Sequence, residues 1–139
     1  MSSKPSAELP PEYFVDRSLG KLTAGRLRAD GWLVHLIADT YPKDAEDIQD
    51  EEWITEGCHL GWILLTKDKM IRYRAEELAA LVPGNFLFCL VKGDWPIEVM
   101  ASAFDAARGR IERAIARGDA GFWHVYRDGK IRRMWPARK

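Results

Sequence analysis

Three aspartates stand where apolar segments end or where a helix is expected to begin. Asp16 ends the run "YFVD", Asp50 opens the segment "DEEWITEGCHLG", and Asp68 follows "WILLT" by two residues. Carboxylates gathered in one place repel one another unless a divalent cation neutralises them, and Mg²⁺ and Mn²⁺ prefer such oxygen ligands. A metal held there activates a water molecule or stabilises charge on a phosphate that undergoes displacement. We therefore predict Asp16, Asp50 and Asp68 to be metal ligands and catalytic groups.

Hydroxyl side chains accompany two of these acids. Ser18 lies two residues after Asp16, and Thr66 lies two residues before Asp68. A hydroxyl can orient a carboxylate by donating a hydrogen bond to it, so both residues are predicted to support the site. Asp50 has a second interpretation, because aspartate is also a preferred N-cap residue at the start of a helix.

Strands and helices alternate along the chain, and this order determines where the aspartates lie. Apolar runs predict strands at 13–16, 32–37, 62–66 and 85–92, and the tail around Asp128-Gly129 predicts a hairpin. Helices are predicted after the first strand, from Asp50, around 76–81 and beyond 94–96. This alternation predicts a three-layer α/β/α fold, in which helices cover both faces of a mostly parallel sheet. In such sheets ligands bind beyond the carboxyl ends of the strands, where Asp16 and Asp68 lie.

The longest predicted helix has one apolar face. The segment 94–96, "DWP", is expected to cap and start it, with Asp94 in a position typical of a capping residue. Apolar residues at steps of three and four predict the face that is buried against the sheet: Ile97, Met100, Phe104, Ala107, Ile111 and Ala114.

The chain has the length and composition of one globular domain. It contains 139 residues, of which 47% are hydrophobic and 30% are charged. Residues 1–11, "MSSKPSAELPP", are predicted to be a disordered lead-in, and 12–139 a single domain. No apolar run has the length of a membrane span, and Cys58 and Cys89 have no CxxC spacing. These features predict a cytoplasmic protein with reduced thiols.

The net charge is zero, but the charges are segregated. Residues 38–56 contain eight acids and one base, whereas residues 105–139 contain ten bases and four acids. Either run is equally consistent with a solvated surface. Together they also fit a cation-binding pocket beside an anion-binding surface.

Three segments together resemble a known family. "YFVDRSLG", "DEEWITEG" and "WILLTKDKMIRYR" occur in this order between Tyr13 and Arg74. They are similar to the PIN-like nucleases, in particular the compact branch of VapC45-type toxins and the Mut7-C domain. The resemblance implies a Mg²⁺- or Mn²⁺-dependent endoribonuclease with Asp16, Asp50 and Asp68 in its site. It also implies the toxin of a type II toxin–antitoxin pair, with RNA as substrate, an antitoxin protein as partner and a homodimer as the assembly.

Two further expectations accompany this resemblance. The family usually has a fourth acid between the first and third motifs, for which Asp47 is the first choice and Asp44 the second. Cations after the third strand are predicted to hold phosphates of the RNA, although a solvated loop would have the same composition: Lys67, Lys69, Arg72 and Arg74. The arginines of the longest helix and the segment "KIRRMWPARK" are broader candidates for RNA contact.

Two other functions remain open from the sequence. One is a non-catalytic RNA- or protein-binding module on the same fold, because the fourth acid is not assigned. The other is a receiver-like phosphoacceptor domain, which needs paired acids after the first strand and a lysine after the last. Here Arg17 follows Asp16, and Lys92 is the one candidate lysine. No GxSxG, phosphate-cradling glycine loop or zinc-ligand spacing is present, so these chemistries are disfavoured.

Overall fold

The computed structural model describes residues 10–36, 50–67 and 84–136, with the backbone alone for 50 and 51. Within these ranges the strands are β1 (Glu12–Val15), β2 (Leu33–Leu36), β3 (Ile63–Thr66), β4 (Phe86–Leu90), β5 (Gly121–Val125) and β6 (Ile131–Trp135). The helices are α1 (Gly20–Ala29), α2 (Asp50–His59) and α3 (Ile97–Arg117). A short 3-10 turn, Arg17–Leu19, connects β1 to α1. The helix predicted around 76–81 lies outside the described residues.

The six strands form one sheet in the order β2-β1-β3-β4-β5-β6. All neighbouring pairs are parallel except β5 and β6, which form an antiparallel hairpin. The strands that follow β1 in sequence add first on one side of it and then on the other, so β1 lies at a topological switch point. The prediction of an α/β fold with a mostly parallel sheet is confirmed.

One face of the sheet packs against α1 and α3. The alternation of β1 places Tyr13 and Val15 on this face, within the larger apolar core. The predicted apolar face of α3 is buried from Met100 to Ala114. Ile97, in contrast, is 36% exposed, so its predicted burial is wrong. The reason is that α3 begins at Ile97, and its first turn lies at the margin of the core.

The start of α3 differs from the prediction in its cap. Pro96 occupies the N-cap position, and no side chain of the described residues donates to or accepts from the first turn as a cap. The helix therefore begins directly after "DWP", as predicted, but Pro96 rather than Asp94 occupies the cap position. Proline fixes φ near the helical value, and the Pro96 carbonyl oxygen accepts the first helical hydrogen bond from Met100 N–H at 2.9 Å.

The opposite face of the sheet packs against α2. Trp53 and Ile54 are buried beside Phe14 and Leu64, which point to this side of β1 and β3. Gly57 allows the close approach, because a Cβ there would overlap Leu64 Cδ2 and lie 2.9 Å from Phe14 Cδ2. Helices therefore cover both faces of the sheet. Among the described residues, no helix has the length and apolar character required to cross a membrane.

A polar cluster fastens the connection between α1 and β2 to α3 at the edge of the core. The Trp32 Nε1–H group donates to Asp105 Oδ1 at 2.7 Å, and the Arg108 guanidinium lies 5.1 Å from the centroid of the Trp32 ring. Arg108 also donates to the carbonyl oxygens of Asp30 and Gly31, at 3.0 and 3.1 Å. Burial, together with the neighbouring Asp30 carboxyl group, raises the pKa of Asp105 from 3.8 to about 6.

This cluster predicts a pH-dependent stability. The folded state binds the Asp105 proton more tightly than the unfolded state does. The stabilisation that this proton gives the folded state is therefore complete below pH 3.8, and it is lost as the pH rises through about 6. Asp105→Asn keeps an acceptor for Trp32 without the charge. We expect it to raise the free energy of unfolding by about 1 kcal/mol at pH 8, because solvent screens part of the effect.

Urea unfolding of wild type and Asp105→Asn at pH 4 and pH 8 checks this expectation. The stabilisation should be present at pH 8 and small or absent at pH 4. Asp94→Asn, which changes an exposed carboxylate, is the control and should show no such difference. An equal effect of Asp105→Asn at both pH values would contradict the assignment.

A second prediction concerns the close packing of α2. Gly57→Ala should lower the free energy of unfolding by about 1–3 kcal/mol, because the new methyl group forces Leu64 and Phe14 to move. Gly25→Ala, in α1, is the matched control, since a Cβ at Gly25 has no described atom within 4 Å. That change should stabilise by roughly 0.5–1 kcal/mol. Thermal unfolding of the two variants tests the difference in sign.

Candidate active site

Asp16 lies at the carboxyl end of β1 and is held through its backbone. Its N–H group donates to Leu65 O at 2.9 Å, which extends the pairing of β1 with β3. Its carbonyl oxygen accepts from Leu19 N–H at 3.0 Å, which closes the 3-10 turn before α1. The residue is 6% exposed, so a carboxyl group sits at the margin of the core. Such a group requires polar partners.

Two hydroxyl groups supply those partners. Ser18 Oγ and Thr66 Oγ1 both donate to Asp16 Oδ2, each at 2.7 Å. The two hydroxyl oxygens are 3.4 Å apart. Ser18 follows Asp16 in the same turn, whereas Thr66 is the last residue of β3 and is fully buried. The carboxylate of Asp16 is thus held in one orientation by groups from two neighbouring strand ends.

The structure specifies the supporting roles more closely than the sequence does. Spacing alone associated Thr66 with Asp68, two residues away. In the fold, Thr66 donates to Asp16, which is 50 residues away in sequence. The parallel register explains this contact, because Val15 pairs with Leu65 and the next residue of each strand follows in step. Strand order and register therefore bring this hydroxyl to Asp16.

The start of α2 approaches the same edge of the sheet. Trp62 N–H donates to Gly57 O at 2.9 Å, and β3 begins at the next residue, Ile63. The chain thus turns directly from α2 into β3, and α2 runs back along it. Its first residue, Asp50, therefore lies towards the carboxyl ends of β1 and β3. Because Asp50 is described by its backbone alone, its role as a ligand stays a prediction.

The loop after β4 lies next to the end of β3. Lys67 follows Thr66 and is half-buried. A Cβ at Gly93 would lie 3.5 Å from Lys67 O and 3.8 Å from Lys67 Cδ, so the aliphatic part of this lysine rests against the glycine. Because β4 and β5 are parallel to β3, their following loops also open at this edge.

The remaining predicted site residues fall outside the described part of the chain. These are Asp68 and the fourth-acid candidates Asp47 and Asp44, together with the predicted RNA-binding residues Lys69, Arg72 and Arg74. Within residues 10–36, 50–67 and 84–136, no three His, Cys, Asp or Glu side chains lie close enough together to hold a metal. Asp16 is the predicted ligand whose side chain is described.

The described donors suit a hard divalent cation. The group at the strand end is a carboxylate, and the side chains that orient it are hydroxyls, so the donor atoms on this side are oxygens. Mg²⁺ and Mn²⁺ favour oxygen ligands over nitrogen or sulfur. An outer shell that fixes a carboxylate in one orientation is also what metal-binding carboxylates require.

The arginines of α3 divide into two groups. Arg108 binds backbone oxygens before β2, and Arg110 Nη1 donates to Gly129 O at 3.2 Å in the β5–β6 turn. These two residues hold the fold together, and their role as broader candidates for RNA contact stays a prediction. Arg113 and Arg117 are exposed near the C-terminal end of α3. That end leads into the start of β5 and therefore lies opposite Asp16.

A basic groove at the β5–β6 hairpin contains the start of "KIRRMWPARK", the segment predicted as a broader candidate for RNA contact. It has a volume of about 570 Å³ and lies where the hairpin turns, beyond the carboxyl end of β5. Its lining residues are Tyr126, Arg127, Asp128, Lys130, Ile131 and Arg132. The composition of "KIRR" and the Asp128-Gly129 turn were visible in the sequence. Only the order of the strands in the sheet places these residues on one surface, at the same edge as Asp16.

Comparison with known proteins gives the family. A sequence profile of the family described as "PIN like domain" matches residues 11–92, which include Asp16, Ser18, Asp50, Thr66 and Asp68. The chain is also 34% identical over 124 residues to "Putative ribonuclease VapC45" of Mycobacterium tuberculosis (strain ATCC 25618 / H37Rv). That alignment covers 87% of this chain and 89% of the relative. No solved structure matches the chain. The profile match and this relative show that the chain belongs to the PIN-like domain family.

Proposed function

We propose that this protein is a metal-dependent endoribonuclease that hydrolyses phosphodiester bonds of RNA. The observation that carries the proposal is the buried Asp16 carboxylate, which Ser18 and Thr66 hold by two 2.7 Å hydrogen bonds at the switch point of a parallel sheet. Membership of the PIN-like family and the name of the relative, a ribonuclease, support the same reaction class.

In this proposal Asp16, Asp50 and Asp68 hold Mg²⁺ or Mn²⁺, and Asp47 is the candidate for a fourth carboxylate. The bound ion would activate a water molecule and neutralise charge on the phosphate. Ser18 and Thr66 keep Asp16 oriented towards the ion, which lowers the cost of organising the site when the metal arrives. The three ligands come from the end of β1, the start of α2 and the residues after β3.

Cations next to these acids would hold the RNA. Lys67 is the next residue in the chain after Thr66, whose hydroxyl orients Asp16. Lys69, Arg72 and Arg74 extend the positive charge in the sequence that follows. Each such cation can neutralise one phosphate of the substrate, which positions the backbone without reading its bases.

We also infer a cellular role from the relative. The relative is named "Putative ribonuclease VapC45" and the sequence motifs resemble VapC45-type toxins, so this chain is proposed to be the toxin of a type II toxin–antitoxin system in the cytoplasm. Its partners would then be an antitoxin protein and, in a homodimer, a second copy of the chain. Co-expression with the product of the adjacent gene, followed by purification through a tag on this chain, tests the pairing. Isolation of this chain alone would contradict it.

One prediction of this proposal concerns the metal site and the cleavage of RNA. Wild-type protein with Mg²⁺ or Mn²⁺ should cut a mixed pool of tRNA and rRNA into discrete products, and a chelator should abolish them. Asp16→Asn and Asp68→Ala should each lower the rate by roughly 100-fold or more, because a metal ligand is lost. Asp119→Asn, which alters a half-exposed carboxylate before β5, at the opposite edge of the sheet, is the matched control.

The products are resolved by denaturing electrophoresis. Cleavage that persists with the chelator, or that is equal in Asp16→Asn and wild type, would contradict the proposal. Binding of RNA by wild-type protein without cleavage would favour a non-catalytic RNA-binding module instead.

Another prediction of this proposal concerns the hydrogen bond that the Thr66 hydroxyl donates to Asp16. Thr66→Val keeps the shape of the side chain but removes the donor to Asp16, so the metal concentration for half-maximal cleavage should rise about 10-fold. Thr23→Val is the matched control, because Thr23 is also fully buried and its hydroxyl has no hydrogen-bond partner among the described residues. Titration of Mn²⁺ by calorimetry and by cleavage rate measures the change. An equal shift in both variants would show that Thr66 acts only through packing.

A further inference from the structure

We propose that the β5–β6 hairpin is a second RNA-contact surface, which binds backbone phosphates and stacks one base at a distance from Asp16. This inference rests on the proposed nuclease function and extends it to a described surface. We call the surface the hairpin groove and define it by Tyr126, Arg127, Asp128, Lys130, Ile131 and Arg132.

The turn that carries the groove is fixed by several bonds. Tyr126 N–H donates to Lys130 O, and Gly129 N–H donates to Tyr126 O, both at 2.9 Å. Gly129 has φ +90°, and a Cβ there would lie 2.6 Å from the backbone carbon of Ala106 in α3. Arg110 adds a hydrogen bond from α3 to Gly129 O. A ligand therefore meets a preformed turn, and little conformational entropy is lost on binding.

The charge of the groove favours a polyanion. It presents three cations, Arg127, Lys130 and Arg132, against one acid, Asp128. The Lys130 Nζ atom is 3.8 Å from Asp128 Oδ2, and these side chains are 73% and 59% exposed. An ion pair this exposed is weak, so Lys130 can exchange it for a phosphate at small cost. Apolar contact is available beside the cations from the Tyr126 ring, whereas Ile131, which also lines the groove, packs against the core on the other face of the sheet.

Tyr126 is placed to stack on a base. Its ring lies 6.4 Å from that of His124 with the planes at 79°, and His124 in turn lies 5.7 Å from Phe122. These residues alternate along β5, so they point to the face of the sheet that packs on α2. Asp16 and Thr66 alternate with Val15 and Leu65 and point to the same face. An aromatic ring beside cations is the usual arrangement for binding single-stranded nucleic acid.

The distance from Asp16 to the groove suits a short stretch of RNA. Three strand spacings separate β1 from β5, through β3 and β4, which corresponds to roughly 14 Å. That span equals roughly two to four nucleotides. Lys67 follows β3 and Lys92 follows β4, so each intervening strand end also carries a cation. The RNA is therefore proposed to cross the carboxyl ends of β3 and β4 between Asp16 and the hairpin groove.

Binding without cleavage tests this proposal. The probes are fluorescein-labelled single-stranded RNAs of about ten and about three nucleotides, followed by anisotropy in chelator. Arg127→Ala/Arg132→Ala should weaken binding of the longer RNA about 10-fold or more, and the slope of log K against log salt should become shallower by roughly 1.4 for two lost contacts. Tyr126→Ala should weaken it about 10-fold with the slope unchanged, whereas Tyr126→Phe should bind as wild type does.

The matched control is Arg113→Ala/Arg117→Ala, which removes the same charge at the opposite edge of the sheet. It should change affinity much less than the groove variants, and thermal unfolding should show that all variants are folded. Equal losses for the groove and control variants would overturn the proposal. It would also be overturned if the shorter RNA lost as much affinity as the longer one, or if a polyglutamate peptide of equal charge competed as well as RNA. Because no cleavage is measured, this test can fail while metal-dependent cleavage stands, and the reverse also holds.

Discussion

The parallel pairing of β1 with β3 is the constraint on which the candidate site depends. It places Asp16 beside Thr66, and the two hydrogen bonds to Oδ2 provide polar partners for a carboxylate that is nearly buried. Without that pairing, Asp16 would lose the Thr66 donor, and less of the cost of desolvating the carboxylate would be offset. The same pairing puts β1 at the switch point of the sheet, where parallel folds generally bind their ligands.

The packing of α2 against the sheet directs the start of this helix, where the backbone of Asp50 lies, towards the same edge. Gly57 removes the side chain that would separate the helix from Leu64 and Phe14. The distance between helix and sheet is therefore determined by a residue that has no side chain.

The arginines have two different roles. Arg108 and Arg110 bind backbone oxygens and so join elements of the fold, while Arg127 and Arg132 line an open groove. Composition alone does not distinguish a structural arginine from one available to a ligand.

Local patterns were sufficient for most of the fold. Continuous apolar runs identified the parallel strands, because strands covered on both faces are apolar throughout. The period of α3 identified its buried residues from Met100 to Ala114. Prediction failed at the first turn of α3, where Ile97 is partly exposed and Asp94 does not act as a cap. Burial at a helix end depends on where the helix crosses its neighbours, and periodicity carries no information about that position.

The sequence by itself determined the fold class, the mostly parallel sheet and the resemblance to PIN-like nucleases, because residue type and order encode them directly. It also identified Asp16, Ser18 and Thr66 as members of one candidate site. Only the tertiary structure decided that Thr66 donates to Asp16, and that the β5–β6 hairpin opens at the same edge. The physical reason is that such contacts join residues far apart in the chain. They follow from strand order and register, which the packing of the whole sheet determines.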